Sequence, residues 1–445
     1  TSTILKAANK LISNNQGRLG KELWTQDSEG EAISLYEAFN EQDEARFIVE
    51  RLQNWLNTGN RLSDSAILYR SNAQSREMED ALLRVGLPYR IYGGHRFYER
   101  LEIKNALAYL RLMLNRNDDT AIERVINVPT RGIGDQTLEI LRGVARSEEI
   151  SLWAAAQKCL SHGLMASRAA TAVARFVELI DTLDEGCEAL ALAKKVEHII
   201  SNSGLVPHHE KEGGEKAAAR IENLQELVNA AGSFDELDPD AEAMDVESRE
   251  FLAAFLDQAS LDAGEGQASE SDDAVQLMTL HSAKGLEFKQ VFLAGMEEGL
   301  FPHKMSMDGL AGLEEERRLC YVGITRAMTK LYLTHAESRR LHGEVNITRP
   351  SRFIREIPAD LIEHVRIKSS ISRPSVYYGR PAASLVQEDI PDTNIALGSR
   401  VRHGKFGEGV VLNCEGHGAN ARVQVNFYDC GSKWLVLSYA KLEVL

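Results

Sequence analysis

Short apolar runs, each followed by an amphipathic helix pattern, limit this chain to very few folds. Ala32–Ala38 (AISLYEA) and Ser65–Tyr69 (SAILY) have strand length. Between them, Asp43–Leu56 repeats Phe47, Ile48, Leu52 and Trp55 at helical spacing. A further helix pattern, Glu77–Val85, follows SAILY. Such alternation builds a parallel sheet, because parallel neighbours need a long crossover connection and a helix supplies it. The alternation stops at Pro88, and strand patterns resume at Val275–Leu280 and Val291–Gly295. One sheet with a large insertion is the simplest reading. An amphipathic helix carrying Ile4, Leu5, Ala8, Leu11 and Ile12 precedes it.

The insertion, residues 89–272, shows helix patterns and no clear strand. Its stretches are Glu102–Leu114, Thr120–Asn127, Gln136–Arg146, Leu152–Leu160, Ala166–Leu183, Ala191–Ser201 and Lys216–Ala231. Pro129-Thr130-Arg131-Gly132-Ile133-Gly134-Asp135 separates two of them. Gly132 and Gly134 allow a tight turn with outward N–H groups, the way helix–hairpin–helix elements meet DNA phosphates. An ordinary inter-helix turn accounts for the same residues. Between Phe234 and Asp273 fourteen Asp or Glu stand against one Arg, so −13 of the net −15 lies there. That tract reads as a mobile connection around a short helix, Ser248–Leu261. The other residues carry only −2, so an acidic balance does not exclude a nucleic-acid partner.

Polar residues gather where strand patterns end. Arg70-Ser71-Asn72-Ala73-Gln74-Ser75-Arg76 follows SAILY, at the strand end where open α/β sheets bind ligands. Two arginines with amide and hydroxyl donors suit a phosphate backbone; a solvated helix cap by Ser71 or Asn72 fits as well. His281-Ser282-Ala283-Lys284-Gly285-Leu286-Glu287-Phe288 joins two strand patterns, and a solvated loop is its plainer reading. In the helix pattern Leu313–Met328, Glu314 can pair with Arg318, whereas Arg326 has Val322 at i−4 and no acid. An arginine so placed has the makings of an arginine finger on a transferring phosphoryl group, with a solvated surface arginine as the alternative. The spacing predicts that His281, Lys284, Glu287 and Arg326 reach the ends of neighbouring elements around one phosphate-bearing ligand.

Lys330–Ala336 and Glu344–Thr348 flank a hairpin with Arg339, Arg340 and His342 near its tip. Such a tip can stack on a base or wedge a duplex, and a plain surface hairpin is the alternative. Residues 359–396 contain three X-Pro steps and read as a linker. From Leu397, short strand patterns broken by glycines predict a small barrel of about 50 residues. The five cysteines are scattered and read as structural thiols of a reducing compartment. No apolar run approaches the roughly 20 residues of a membrane span. No membrane association and a cytoplasmic location are expected.

Taken together and in order, TLHSAKGLEF (Thr279–Phe288) and EEERRLCYVGITRA (Glu314–Ala327) closely resemble the fifth and sixth motifs of superfamily 1 DNA helicases of the UvrD/PcrA/Rep type. AILYRSNAQSR resembles the motif before the family's helical insertion, and LGSRVRHGKFGEGVVL resembles its Tudor-like C-terminal domain. The resemblance covers essentially the whole chain. It implies an α/β fold: a RecA-like parallel-sheet motor domain (1–88 and 273–358) interrupted by a helical insertion (89–272), then a linker (359–396) and a Tudor-like β-barrel (397–445). It implies an ATP-dependent 3′–5′ DNA helicase of DNA repair, with ATP and Mg2+ as cofactors. Arg326 would touch the γ-phosphate and Glu287 the ribose. Arg70, Asn72, Thr279 and His281 would lie along single-stranded DNA, and Gly132 and Gly134 would grip duplex. His342 would sit at the tip of the strand-separating hairpin, where relatives can carry a tyrosine. Repair or transcription proteins would dock through the barrel. The sequence has no GxxxxGK[ST] and no DExx-type Mg2+ motif. The chain is therefore expected to be the C-terminal portion of such a helicase without its first motor domain, and inactive alone, with Mg2+ ligands elsewhere. A non-catalytic DNA- or protein-binding module is the competing expectation.

Overall fold

The computed structural model describes residues 1–16, 22–187, 190–237, 248–264, 268, 272–307, 309–341, 343–365, 399–403, 406–415, 422–427, 431–436 and 442–444. The chain divides into two compact units, Thr1–Ile367 and Lys368–Leu445.

The first unit is built on strands β1 (Ile33–Ala38), β2 (Ser65–Tyr69), β3 (Tyr89–Ile91), β4 (Val275–Thr279), β5 (Phe288–Leu293), β6 (Ala327–Ala336) and, last in sequence, β9 (Ile362–His364). They form a seven-stranded sheet in the order β3-β4-β2-β5-β6-β1-β9, and every pairing is parallel. All of β2 is buried, which explains its unbroken apolar character. Its residues alternate between the two faces. Ala66 and Leu68 join the core beneath helices Ser2–Ile12 and Leu310–Thr325. Ile67 and Tyr69 join the core beneath helices Glu41–Asn57 and Ser75–Arg84. Asn40 caps Glu41–Asn57 by accepting the Asp43 N–H at 2.9 Å.

Two strands escaped the sequence reading. Tyr89–Ile91 was expected to open an all-helical stretch, yet it pairs with β4 as an edge strand. Ile362–His364 was expected in a linker, yet it pairs with β1 at the other edge. Each has three residues, too few for period-two alternation to show. The remainder of the expected linker from 366 lies outside the described residues.

The insertion has its own apolar core. Its helices follow the predicted stretches, with one more at Leu205–Glu212, where Pro207 is tolerated because it falls in the first turn. The acidic tract is less separate than expected. Its helix, Ser248–Gly264, buries Leu252, Phe255, Leu256 and Ala259 in the insertion core. Residues 238–247 lie outside the described residues.

Helix Gly214–Leu237 meets the sheet-bearing part through polar contacts at helical spacing. Ser71 donates to Glu222, and Arg100, the N-cap of insertion helix Leu101–Leu114, bridges Asn223 at 2.8 Å and the Asn72 carbonyl at 3.0 Å by donating to both. Arg76 donates to Glu226 at 2.7 Å, and the Gly343 N–H donates to Asn229 at 2.9 Å. A cavity of about 220 Å³ lies along this seam, lined by Glu77, Glu222, Glu226, Glu298 and Arg340 among others.

Strands β7 (Ser338–Leu341) and β8 (Glu344–Ile347) form an antiparallel hairpin, whose first strand is Ser338–Leu341 and not the expected Lys330–Ala336, which lies in β6 of the parallel sheet. Arg339 is not available at its tip. The side chain is buried, and it donates to Glu44 at 2.6 Å and to Glu297 at 2.7 and 2.9 Å. Burial of an arginine requires such pairing, and this one roots the hairpin in the sheet. His342 lies outside the described residues.

The second unit is a five-stranded antiparallel sheet of Arg400–His403, Gly407–Glu415, Arg422–Phe427, Gly431–Val436 and Glu443–Val444. Val401, Val411, Val423, Val425 and Phe427 form its core.

Candidate functional site

The parallel sheet gives the predicted site two ends. At the carboxyl end, Tyr69 of β2 is level with Thr279 of β4, and the Leu280 N–H donates to the Tyr69 carbonyl at 2.9 Å. Arg70 and His281 therefore leave neighbouring strands side by side. At the amino end, Phe288 of β5 is level with Ala327 of β6, and β5 reaches Gln290 before it is level with Ser65, where β2 begins. Phe288 thus lies about 20 Å along the strand direction from the Tyr69–Thr279 end. The expected convergence of His281, Lys284, Glu287 and Arg326 on one ligand does not occur. Loop 280–287 runs from one end of the sheet to the other, leaving His281 at the first end and Glu287 at the second.

Glu287 and Arg326 do come together. The Phe288 N–H donates to the Arg326 carbonyl at 2.9 Å, and Arg326 Nη1 donates to the Leu286 carbonyl at 2.7 Å. These two bonds bracket Glu287, whose side chain is exposed. Arg326 caps helix Leu310–Thr325 rather than lying within it. Its Nε donates to the Val322 carbonyl at 3.0 Å and its Nη2 to Thr325 Oγ1 at 3.2 Å. No acidic side chain pairs with Arg326 among the described residues, whereas Arg318 pairs with Glu314 and Glu315. Lys284 is exposed in the crossing loop, where Gly285 turns the chain at φ +89°.

At the carboxyl end the four predicted residues differ in their commitments. Ser71, not Asn72, caps the turn that follows β2, in a capping box with Gln74. The Asn72 side chain is left exposed. Thr279 Oγ1 and Ser282 Oγ are 3.0 Å apart. His281 is exposed; the protein crowded around it, first, and then the Arg70 cation push its pKa below the ordinary histidine value. Arg70 makes a two-pronged pair with Glu316, from Nε at 3.0 Å and from Nη2 at 2.8 Å. Burial acting alone would raise the Glu316 pKa, but Arg70, the His303 N–H and the Ser306 hydroxyl hold it low. Glu316 escaped the sequence reading because its partner lies 246 positions away.

Helix Leu310–Thr325 links the two ends. Glu316 holds Arg70 at one, and Arg326 stands beside Glu287 at the other, ten residues and about 15 Å along the axis. The helix lies close to the sheet because Gly323 lacks a side chain. A Cβ there would come within 2.5 Å of Leu280 and 2.9 Å of Leu293.

Gly132 and Gly134 stand on the insertion. Gly132 has φ +79°, and Gly134 is the N-cap of helix Asp135–Glu148 without a side-chain cap. Both are exposed. The loop is fixed from within. Asn127 Oδ1 accepts the Arg131 and Ile133 N–H groups, and Arg131 donates to Tyr109, Ser203, Val125 and Pro129. A rigid loop carrying uncapped helix N–H groups can receive a phosphate.

Known proteins resemble this chain in sequence. Residues 1–338 match the family described as UvrD-like helicase C-terminal domain, and residues 397–443 match the PcrA/UvrD tudor domain. The chain is 55% identical over 445 residues to a DNA helicase II of Salmonella typhimurium and 55% identical over 443 residues to that of Escherichia coli. It is 40% identical over 453 residues to the ATP-dependent DNA helicase PcrA of Bacillus subtilis. Each match takes in 100% of this chain but only 60 or 61% of the relative, so the chain spans about three fifths of the length of these proteins. With its parallel sheet, helical insertion and small antiparallel C-terminal sheet, the chain belongs to the UvrD-like helicase C-terminal domain family.

Proposed function

We propose that this chain is the second motor half of an ATP-dependent 3′–5′ DNA helicase acting in DNA repair. Its nucleotide wall is the amino end of the sheet, and its strand-holding surface is the carboxyl end. One observation supports the reading most strongly: Arg326, without an acidic partner among the described residues, is anchored beside the exposed Glu287. These residues fit a nucleotide, Glu287 accepting from ribose hydroxyls and Arg326 donating to a terminal phosphate.

ATP with Mg2+ supplies the transferable phosphoryl group, and we place the Mg2+ ligands on a P-loop-bearing half. Arg326 now donates to neutral carbonyls of Leu286 and Val322. A phosphate is the stronger acceptor, since charge-assisted hydrogen bonds are roughly twice as strong as neutral ones. Turning toward it, Arg326 would release the loop and the helix end it now clamps. Loop 280–287 leads back to Thr279 and His281, and the helix leads back to Glu316 and Arg70. Arg70, Asn72, Thr279 and His281 are the proposed single-strand contacts; Gly132 and Gly134 are proposed to hold duplex, and His342 to tip the separating hairpin. The C-terminal unit is proposed to recruit partner proteins.

The test supplies the chain with a P-loop-bearing motor half and compares Arg326→Ala with the parent. Hydrolysis should fall about a thousandfold or more, while affinity for single-stranded DNA is kept. Hydrolysis within a few-fold of the parent removes Arg326 from the reaction. The 445-residue chain alone is expected to bind DNA and not to turn over ATP, because its sequence has no GxxxxGK[ST].

A further inference from the structure

One cluster in the insertion belongs to neither end of the sheet. His208 and His209 are consecutive on helix Leu205–Glu212, and Glu212 closes that helix. Glu212 is four residues beyond His208 and three beyond His209, so one carboxylate faces both rings. His208 Nε2 lies 3.7 Å from Glu212 Oε1, and His209 Nδ1 lies 3.5 Å from Glu212 Oε2. One ligand atom from each residue can be chosen so that all three are within 4.8 Å of one another.

His209 is the telling member. It is 3% exposed, yet neither ring nitrogen has a hydrogen-bond partner. A buried polar atom left in that state costs about 1–3 kcal/mol.

We propose that His208, His209 and Glu212 bind one divalent transition-metal ion of the zinc class, with solvent completing the coordination. Tetrahedral zinc with bonds of about 2.0–2.1 Å sets its ligand atoms about 3.4 Å apart. The His208–Oε1 separation of 3.7 Å is close to that, and side-chain rotations bring the three ligand atoms, within 4.8 Å of one another, the rest of the way. Two imidazoles and a carboxylate favour zinc, nickel or copper over magnesium or calcium. Arg220 pairs with Glu212 through Oε2. It can remain there as the outer partner that orients a ligating carboxylate, while Oε1 faces the metal. Because Arg220 lies on helix Gly214–Leu237, the ion would brace the Gly213–Gly214 turn between the two helices. Both glycines have positive φ, +66° and +77°. The braced helix is the one whose Glu222, Asn223, Glu226 and Asn229 meet the sheet-bearing part.

The test titrates zinc into the 445-residue chain by calorimetry, with thermal unfolding in parallel. One saturable equivalent is expected, together with a rise in melting temperature. His208→Ala and Glu212→Gln should each weaken binding about tenfold or more and abolish the rise. The His208 side chain is 32% exposed, so its removal leaves the fold intact and decides the matter even if His209→Ala misfolds. No saturable equivalent, or unchanged affinity in both variants, overturns the site. An equal response to magnesium overturns its assignment to the zinc class.

Discussion

At Glu41 the chain keeps a carboxyl group where a carboxylate is costly. The residue begins helix Glu41–Asn57, is 9% exposed, and accepts the Arg340 N–H at 3.2 Å. Burial pushes its pKa to about 7 against the pull of Arg339, and the Glu77 charge adds to the rise. A folded-state pKa above the unfolded value means that the folded protein takes the proton more readily. The stability this contributes is fully present below the ordinary carboxyl value of 4.5 and is lost as pH rises through about 7. Glu41→Gln removes the charge and keeps an acceptor. It should stabilise the chain by about 1–3 kcal/mol near pH 8 and far less near pH 5, as read from urea unfolding at the two pH values. A gain independent of pH contradicts the ionisation. What a sequence discloses at this scale depends on separation along the chain. The lack of an acid at i−4 from Arg326, and the Glu314–Arg318 pair, follow from helical spacing alone. The engagement of Arg70 by Glu316 and of Arg339 by Glu44 depends on which strands become neighbours, and no local pattern carries that.

Among elements, helix Leu310–Thr325 bears on both proposed ligand ends, and Gly323 sets its distance from the sheet. Gly323→Ala gains about 1 kcal/mol in helix propensity, but overpacking against Leu280 and Leu293 costs about 1–3 kcal/mol. A net loss of about 1 kcal/mol in urea unfolding is expected, and a gain would show that the two leucines yield freely. The long elements were legible because their periodicities repeat: the apolar β2, the capped helix after Asn40, and the insertion helices. The edge strands Tyr89–Ile91 and Ile362–His364 were not, since three residues hold no period. The acidic tract misled for another reason. Its charge is evident in composition, whereas Leu252, Phe255, Leu256 and Ala259 find their partners only in the folded insertion. Loop 280–287 shows the same limit. Its residue types suited a ligand as well as a solvated loop, but only the parallel pairing of β4, β2 and β5 reveals that it runs between opposite ends of the sheet.

Over the first unit as a whole, apolar cores lie within the sheet layers and within the insertion, and the seam between them is mostly polar. That seam includes the buried Arg76 paired with Glu226, so charge rather than apolar packing joins the two cores. The carboxyl end of the sheet has a related property. On the proposed reading, a DNA phosphate that takes over Arg70 Nε and Nη2 displaces the Glu316 carboxylate. Each new cation–phosphate contact on a single strand ordinarily releases condensed counterions and steepens the salt dependence by about 0.7. Here the liberated carboxylate gathers a cation as the phosphate sheds one, and the two nearly cancel. Arg70→Ala should therefore weaken single-strand binding while leaving the slope of log affinity against log salt almost unchanged. A slope shallower by about 0.7 would mean that Arg70 meets DNA without giving up Glu316. Grip at this position is an exchange of one anion for another, and it would hold at ionic strengths that loosen ordinary surface contacts.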